Sequence, residues 1–144
     1  MRVSQIPTHA QAAVVVNDTY PVRWMGRQAV VALPEHIDVS NAGQIREELL
    51  WLINRGAAAL IADMTATLSC DHSGADAMMR AYQRALASGT QLRLVVTAPI
   101  VRRVLGINGL DRLVPVYPSL EAATAAGTPT VPKTPKPGGP CARC

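Results

Sequence analysis

The sequence predicts an α/β domain: a mostly parallel sheet of four to five strands with an antiparallel edge from an N-terminal hairpin, packed by about four helices. Three observations point there. The hydrophobic period switches repeatedly between strand-like and helix-like along residues 18–126. The inner strand candidates are short, nearly continuous apolar runs, as expected of strands buried on both faces. Helical segments separate them, and right-handed crossovers lay such strands parallel in one sheet.

Taken in order, residues 20–25 and 28–33 are β-prone and meet across Gly26-Arg27, which reads as a hairpin. Ser40 or Asn41 is placed to cap a first helix, in which Ala42, Ile45, Leu49, Leu52 and Ile53 recur at helical spacing and Gly56 marks the end. Residues 57–63 form a buried strand, and a second helix follows over about 73–88, closed by Gly89. Residues 92–97 give the next buried strand, and Pro99 opens a third helix to about Leu105. Residues 113–117 supply a last short strand before a helix over 119–126. No internal repeat is visible.

Three regions result. Residues 1–17 lack a clear period and read as a partly mobile N-terminal segment, 18–126 are the domain, and 127–144 are a disordered Pro/Gly-rich tail. The tail holds five of the eleven prolines and three glycines with few apolar side chains, too little to build a core. Its Pro129-x-x-Pro132 and Pro132-x-x-Pro135 spacings match a loose polyproline pattern that any Pro-rich linker meets by chance.

Composition restricts the function. At 144 residues and 15.3 kDa the chain has room for one domain, and with 49% hydrophobic residues but no Phe its core must be aliphatic. The net charge of +4 comes from Arg2, Lys133, Lys136 and Arg143, because ten arginines balance ten acidic residues between Asp18 and Ala126. A neutral body with basic ends lacks the electrostatic footprint of a nucleic-acid-binding domain. The apolar run 12–16 is far shorter than the roughly 20 residues of a membrane span and shorter than a signal-peptide core. Three cysteines, Cys70, Cys141 and Cys144, do not make a disulfide framework for this size, so a reducing cytoplasmic setting is the expectation.

Little in the sequence suggests catalysis, and an enzyme is not expected. Neither G-x-x-x-x-G-K-S/T nor G-x-G-x-x-G occurs, and no cofactor is expected. Ser73 with His72 as base fails as a nucleophilic pair, since adjacent residues at a helix start project differently and no third group is evident. Cys141-Ala-Arg-Cys144 has C-x-x-C spacing without the second pair or buried helix start that makes such sites work. A redox link from this tail to Cys70 is disfavoured because cytosolic disulfides are rare, and His9 and His36 have no partner at metal-ligand spacing.

The most specific segment, residues 63–74, leaves a buried strand and enters a helix at Asp71-His72-Ser73-Gly74. A helix N-terminus favours anionic charge, so a hydroxyl here suits the receipt or recognition of phosphate. The plainer alternative is that Asp71 or Ser73 caps the helix. Leu-Ile-Ala-Asp-Met, a short loop and Asp-x-Ser-Gly at a helix start resemble the signature of the STAS family of anti-sigma factor antagonists. Three further stretches, 33–38, 92–105 and 108–113, resemble the family's flanking elements in the right order, so the likeness covers about Arg23 to Ala126.

The resemblance implies a STAS fold and a regulatory protein that releases a sigma factor by binding its anti-sigma factor, often a serine kinase that itself binds ATP. In typical members that kinase phosphorylates a serine directly after the signature aspartate, and the charge breaks the complex. Here that position is His72, with Ser73 one step later. Three outcomes remain open: a constitutive binder, Ser73 as an alternative acceptor, or a His72 that is phosphorylated or answers to pH. Asp38 and Asp71 match family positions near the docking edge, Ser73 and Gly74 complete it, and His72 occupies the altered switch position within it. Asp76 and Arg80, four apart on the second helix, either read the partner or pair in solvent. A monomer or weak dimer with no nucleic-acid or membrane partner is expected of an antagonist. The alternative is a STAS scaffold or sensory subunit of a stress-signalling complex, which predicts large homo-oligomers.

Overall fold

The computed structural model describes residues 14–16 and 20–126. Its main sheet has six strands: β1 (Val14–Val16), β2 (Pro21–Met25), β3 (Gln28–Ala32), β5 (Ala59–Met64), β7 (Gln91–Val96) and β8 (Val116–Tyr117), in the spatial order β1-β2-β3-β5-β7-β8. The first two junctions are antiparallel and the last three parallel. The expected architecture holds, with one strand more than the four to five expected. The addition is β1, where Val14 pairs with Arg23; three residues are too few to show a period in the sequence. The rest of the segment expected to be mobile, and the tail from 127, lie outside the described residues.

Two short strands, β4 (His36–Ile37) and β6 (Ser69–Cys70), leave the main sheet and pair with each other in parallel. Among the described residues the helices are α1 (Ala42–Asn54), α2 (His72–Ser88), α3 (Pro99–Ile107) and α4 (Leu120–Ala125), with a 3₁₀ turn at Leu110–Arg112. The last strand is shorter than the expected 113–117. Leu113 is instead held in a turn by its N–H to the Leu110 carbonyl, and Leu94 N–H reaches only Pro115 O before β8 begins.

Strand alternation divides the core. Leu60, Ala62 and Met64 of β5 and Leu92, Leu94 and Val96 of β7 face a large cluster with Ile45, Leu49 and Leu52 of α1, Met78 and Ala81 of α2 and Val101 and Leu105 of α3. Ile61 and Val95 face the other way, where Val30 and Ala123 of α4 complete a smaller cluster. Burial of such aliphatic side chains contributes about 1.5–3 kcal/mol each. All five apolar positions read from the first helix are buried. Met78 is fully buried, whereas Met79 is partly exposed against the same core.

Arg93 of β7 is the charged exception inside. It is 1% exposed, and its guanidinium donates to Gln91 Oε1 at 2.7 and 3.0 Å, Gln28 Oε1 at 3.3 Å and the Ala123 carbonyl at 2.9 Å. Those bonds tie the end of α4 to the starts of β3 and β7.

Candidate functional site

The β4–β6 side sheet builds the site. Leu68 N–H and Ser69 N–H both point at the Glu35 carbonyl, at 2.7 and 3.2 Å, and Asp71 N–H donates to Ile37 O at 3.1 Å. These bonds carry the chain leaving β5 alongside the chain leaving β3. The turn after β4, with Asp38, therefore sits beside the turn before α2, with Asp71, although 33 residues separate them. Thr67, 1% exposed, anchors the loop beneath by donating to Pro34 O at 2.8 Å.

At the Asp38 turn the carboxylate accepts the backbone N–H of Ser40 at 2.9 Å and the Ser40 hydroxyl. These bonds, the hydroxyl first, hold the Asp38 carboxyl below its ordinary pKa. The capping of α1 read for Ser40 or Asn41 holds in position for Asn41, without a side-chain bond to the helix. The Asn41 side chain is used by the turn, accepting Asp38 N–H at 3.0 Å and donating to His36 O at 2.8 Å. The Ser40 hydroxyl goes to Asp38.

At the second turn Asp71 is the N-cap of α2, its Oδ1 accepting Gly74 N–H at 3.2 Å. The capping role read from the sequence therefore holds for Asp71. His72 is the first helical residue, exposed, with Nδ1 3.2 Å from the side-chain amide of Asn108. Because that amide also donates to Val104 O at 2.8 Å, it presents N–H to the ring, and His72 Nδ1 is the acceptor. Ser73 is partly buried in the first turn. Gly74 is buried where a β-carbon would lie 2.5 Å from Cys70 Sγ and 2.6 Å from Ile37 Cγ2. Only a glycine lets α2 start this close to the side sheet.

His72, Asp76 and Arg80 recur every four residues and share one stripe of α2. Asp76 and Arg80 pair at 3.5 Å with both side chains about 60% exposed, in solvent in the free chain. Arg84 is engaged elsewhere, donating twice to Asn54 Oδ1 at 2.9 and 3.1 Å and joining α2 to α1.

Two features of the rim escaped the sequence reading. Val39, in the Asp38 turn, and Leu68, just before β6 and beside Glu35, are 80% and 56% exposed, large apolar groups facing water. His36, assigned no role from spacing, lies with Nδ1 2.7 Å from Ser69 Oγ. Only the β4–β6 pairing reveals that contact, since nothing local links the two residues. The Cys70 thiol is buried and pushed up to about 11, by burial first and then by Asp71. It is a poor partner for redox exchange, and Cys141 and Cys144 lie outside the described residues.

Cavities of about 260 and 390 Å³ lie elsewhere, one beside α4 lined by Pro21, Val30 and Asp63, the other by Tyr82, Leu86 and Leu113. Among the described residues no group of His, Cys, Asp and Glu is arranged to hold a metal ion, and no helix is long and apolar enough to cross a membrane.

Comparison with known proteins places this geometry in context. A STAS domain family model matches residues 20–123. A Mycobacterium tuberculosis protein, named as a candidate anti-anti-sigma factor, is 36% identical over 93 residues, which are 58% of this chain and 62% of that protein. The match thus spans less than two thirds of the relative's length. Among solved structures, an anti-sigma factor antagonist from Mycobacterium paratuberculosis superposes with TM-score 0.69 at 24% identity, covering 75% of this chain and 92% of that one. The phosphorylated form of the Bacillus cell fate determinant SpoIIAA gives TM-score 0.59 at 21% identity, covering 76% and 100%. At these identities the structural likenesses speak to the fold.

Proposed function

The chain belongs to the STAS domain family, and from that membership we propose that it is an anti-sigma factor antagonist, a binding protein without catalysis of its own. Its partner is an anti-sigma factor of the serine-kinase type that itself binds ATP, and their association frees a sigma factor for transcription. The observation that carries the reading is the parallel pairing of His36–Ile37 with Ser69–Cys70, which sets Asp38 and Asp71 side by side on an exposed rim.

The rim has the composition of a contact surface. Val39 and Leu68 offer apolar area at its edge, and exposed aliphatic groups rimmed by polar ones favour association with another protein. Asp38, Asp71, His72 and Ser73 lie on the two turns, and Asp76 and Arg80 extend the surface along α2. Gly74 acts from below by keeping the two turns in register. The curated relative named as a candidate anti-anti-sigma factor supports the same class of partner.

The test mixes the purified chain with each serine-kinase anti-sigma factor of its source organism, without ATP, and follows complex formation by size-exclusion chromatography and calorimetry. A complex that Val39→Asp or Asp76→Lys weakens at least about tenfold, a change of 1.4 kcal/mol, is expected when these side chains contact the partner directly. Elution of the chain as a large homo-oligomer that ignores every anti-sigma factor would favour a scaffold and overturn the reading.

A further inference from the structure

Five hydroxyl side chains lie on or near the rim, and their surroundings differ. Ser40 donates to the Asp38 carboxylate and Thr65 to the Asp63 carboxylate. Thr67 is buried and donates to the Pro34 carbonyl at 2.8 Å. Ser73 is partly buried within the first turn of α2. Ser69 alone of the five is exposed with its oxygen against an imidazole, 2.7 Å from His36 Nδ1.

That contact is fixed by the backbone. His36 and Ser69 are directly opposed partners in the β4–β6 ladder, Ser69 N–H points at Glu35 O, and the His36 carbonyl is held by the Asn41 amide. In the tautomer with its proton on Nε2, His36 Nδ1 accepts the Ser69 hydroxyl proton. Imidazole suits proton acceptance near neutral pH better than a carboxylate does. The competing hydroxyl on Ser40 faces a carboxylate whose own pKa is lowered, which makes it the weaker base.

We propose that Ser69 is the phosphoryl acceptor of this chain and that His36 receives its proton. The inference rests on the reading of the partner as an ATP-using serine kinase. In the step, Ser69 Oγ forms a bond to the γ-phosphorus of ATP, the bond from that phosphorus to the bridging oxygen breaks, and ADP leaves with the electron pair. The hydroxyl proton passes to His36. The product is a phosphoserine of charge about −1.5 to −2 facing an imidazolium. It stands on β6 two residues before Asp71, opposite His36, which lies on β4 two residues before Asp38, so a partner covering this edge would have to desolvate a dianion on a surface that already carries two carboxylates. Phosphorylation therefore weakens the complex, and the switch lost at His72 is regained three residues earlier.

The deciding experiment incubates the full chain with its serine-kinase anti-sigma factor and γ-labelled ATP, then maps the label by peptide mass spectrometry while complex formation is measured in parallel. One phosphoryl group at Ser69 is expected, with a fall in affinity of tenfold or more. Ser69→Ala takes up no label, and His36→Asn slows labelling at saturating kinase by tenfold or more. Label on Ser73, His72 or any other residue, or a stable complex with no label, overturns the Ser69 assignment and leaves the antagonist reading standing. Failure to form any complex removes both. Because the mapping uses the unaltered chain, a variant that folds poorly does not decide the outcome.

Discussion

Gly74 and Cys70 meet so closely that a β-carbon on the glycine would stand 2.5 Å from the cysteine sulfur, with Ile37 Cγ2 at 2.6 Å on the other side. Cys70 and Ile37 are the inward residues of β6 and β4, both buried. The side sheet and the start of α2 thus set one another's position, and with them the spacing of the Asp38 and Asp71 turns. Gly74→Ala should cost on the order of 1–3 kcal/mol, the usual range for overpacking in a close-packed interior. Chemical denaturation measures the loss, and an unchanged midpoint would mean that the helix start yields freely.

How far the sequence carried is clearest around this contact. Asp-x-Ser-Gly announced a helix start, and the capping of α2 by Asp71 follows from local chemistry that any four-residue window contains. The buried positions of α1 follow equally from helical period, and the burial of β5 on both faces from its continuous apolar run. The pairing of β4 with β6 does not. Two-residue strands have no period, and the partners lie 33 positions apart, so the bond from His36 to Ser69 and the apolar flanks Val39 and Leu68 emerge only in three dimensions. The part the Asn41 side chain plays in the turn was not legible because capping is the commonest use of that residue type at a helix start, whereas here the preceding turn takes both of its polar atoms.

Arg93 on the opposite face should be a stability determinant unrelated to binding. Its guanidinium is buried and satisfied by Gln28, Gln91 and the Ala123 carbonyl. Arg93→Met keeps apolar bulk but leaves those acceptors without their charged donor, a loss of about 2–4 kcal/mol given about 1.5–3 kcal/mol for a single charge-assisted bond. Thermal unfolding should show a clear drop in Tm. Partner affinity measured below the transition should be unchanged, because the residue lies beneath α4 and away from the rim.

Cys70 should be nearly inert in the folded chain. With the thiol at about 11, only about one in a thousand is thiolate at pH 8, and the sulfur is buried against α2. In a Cys141→Ser/Cys144→Ser background, alkylation of Cys70 by iodoacetamide at pH 8 should be slower than that of the unfolded chain by a hundredfold or more. Rapid labelling under native conditions would show that the side sheet opens readily.

Asp38 offers a pH test of the first turn. The Ser40 hydroxyl and N–H lower its pKa, so its folded value lies below its unfolded one. By linkage, the stabilisation this gives is present above the unfolded pKa and is lost as pH falls through the folded one, within the acid range of carboxylates. Ser40→Ala removes the hydroxyl bond, the largest cause, and leaves the backbone bond in place. An NMR titration of the Asp38 carboxyl should therefore move upward in the variant, toward the ordinary value without reaching it. Coincident titration curves for the two proteins would mean that the hydroxyl points to water and that the Ser40 N–H alone lowers the Asp38 pKa.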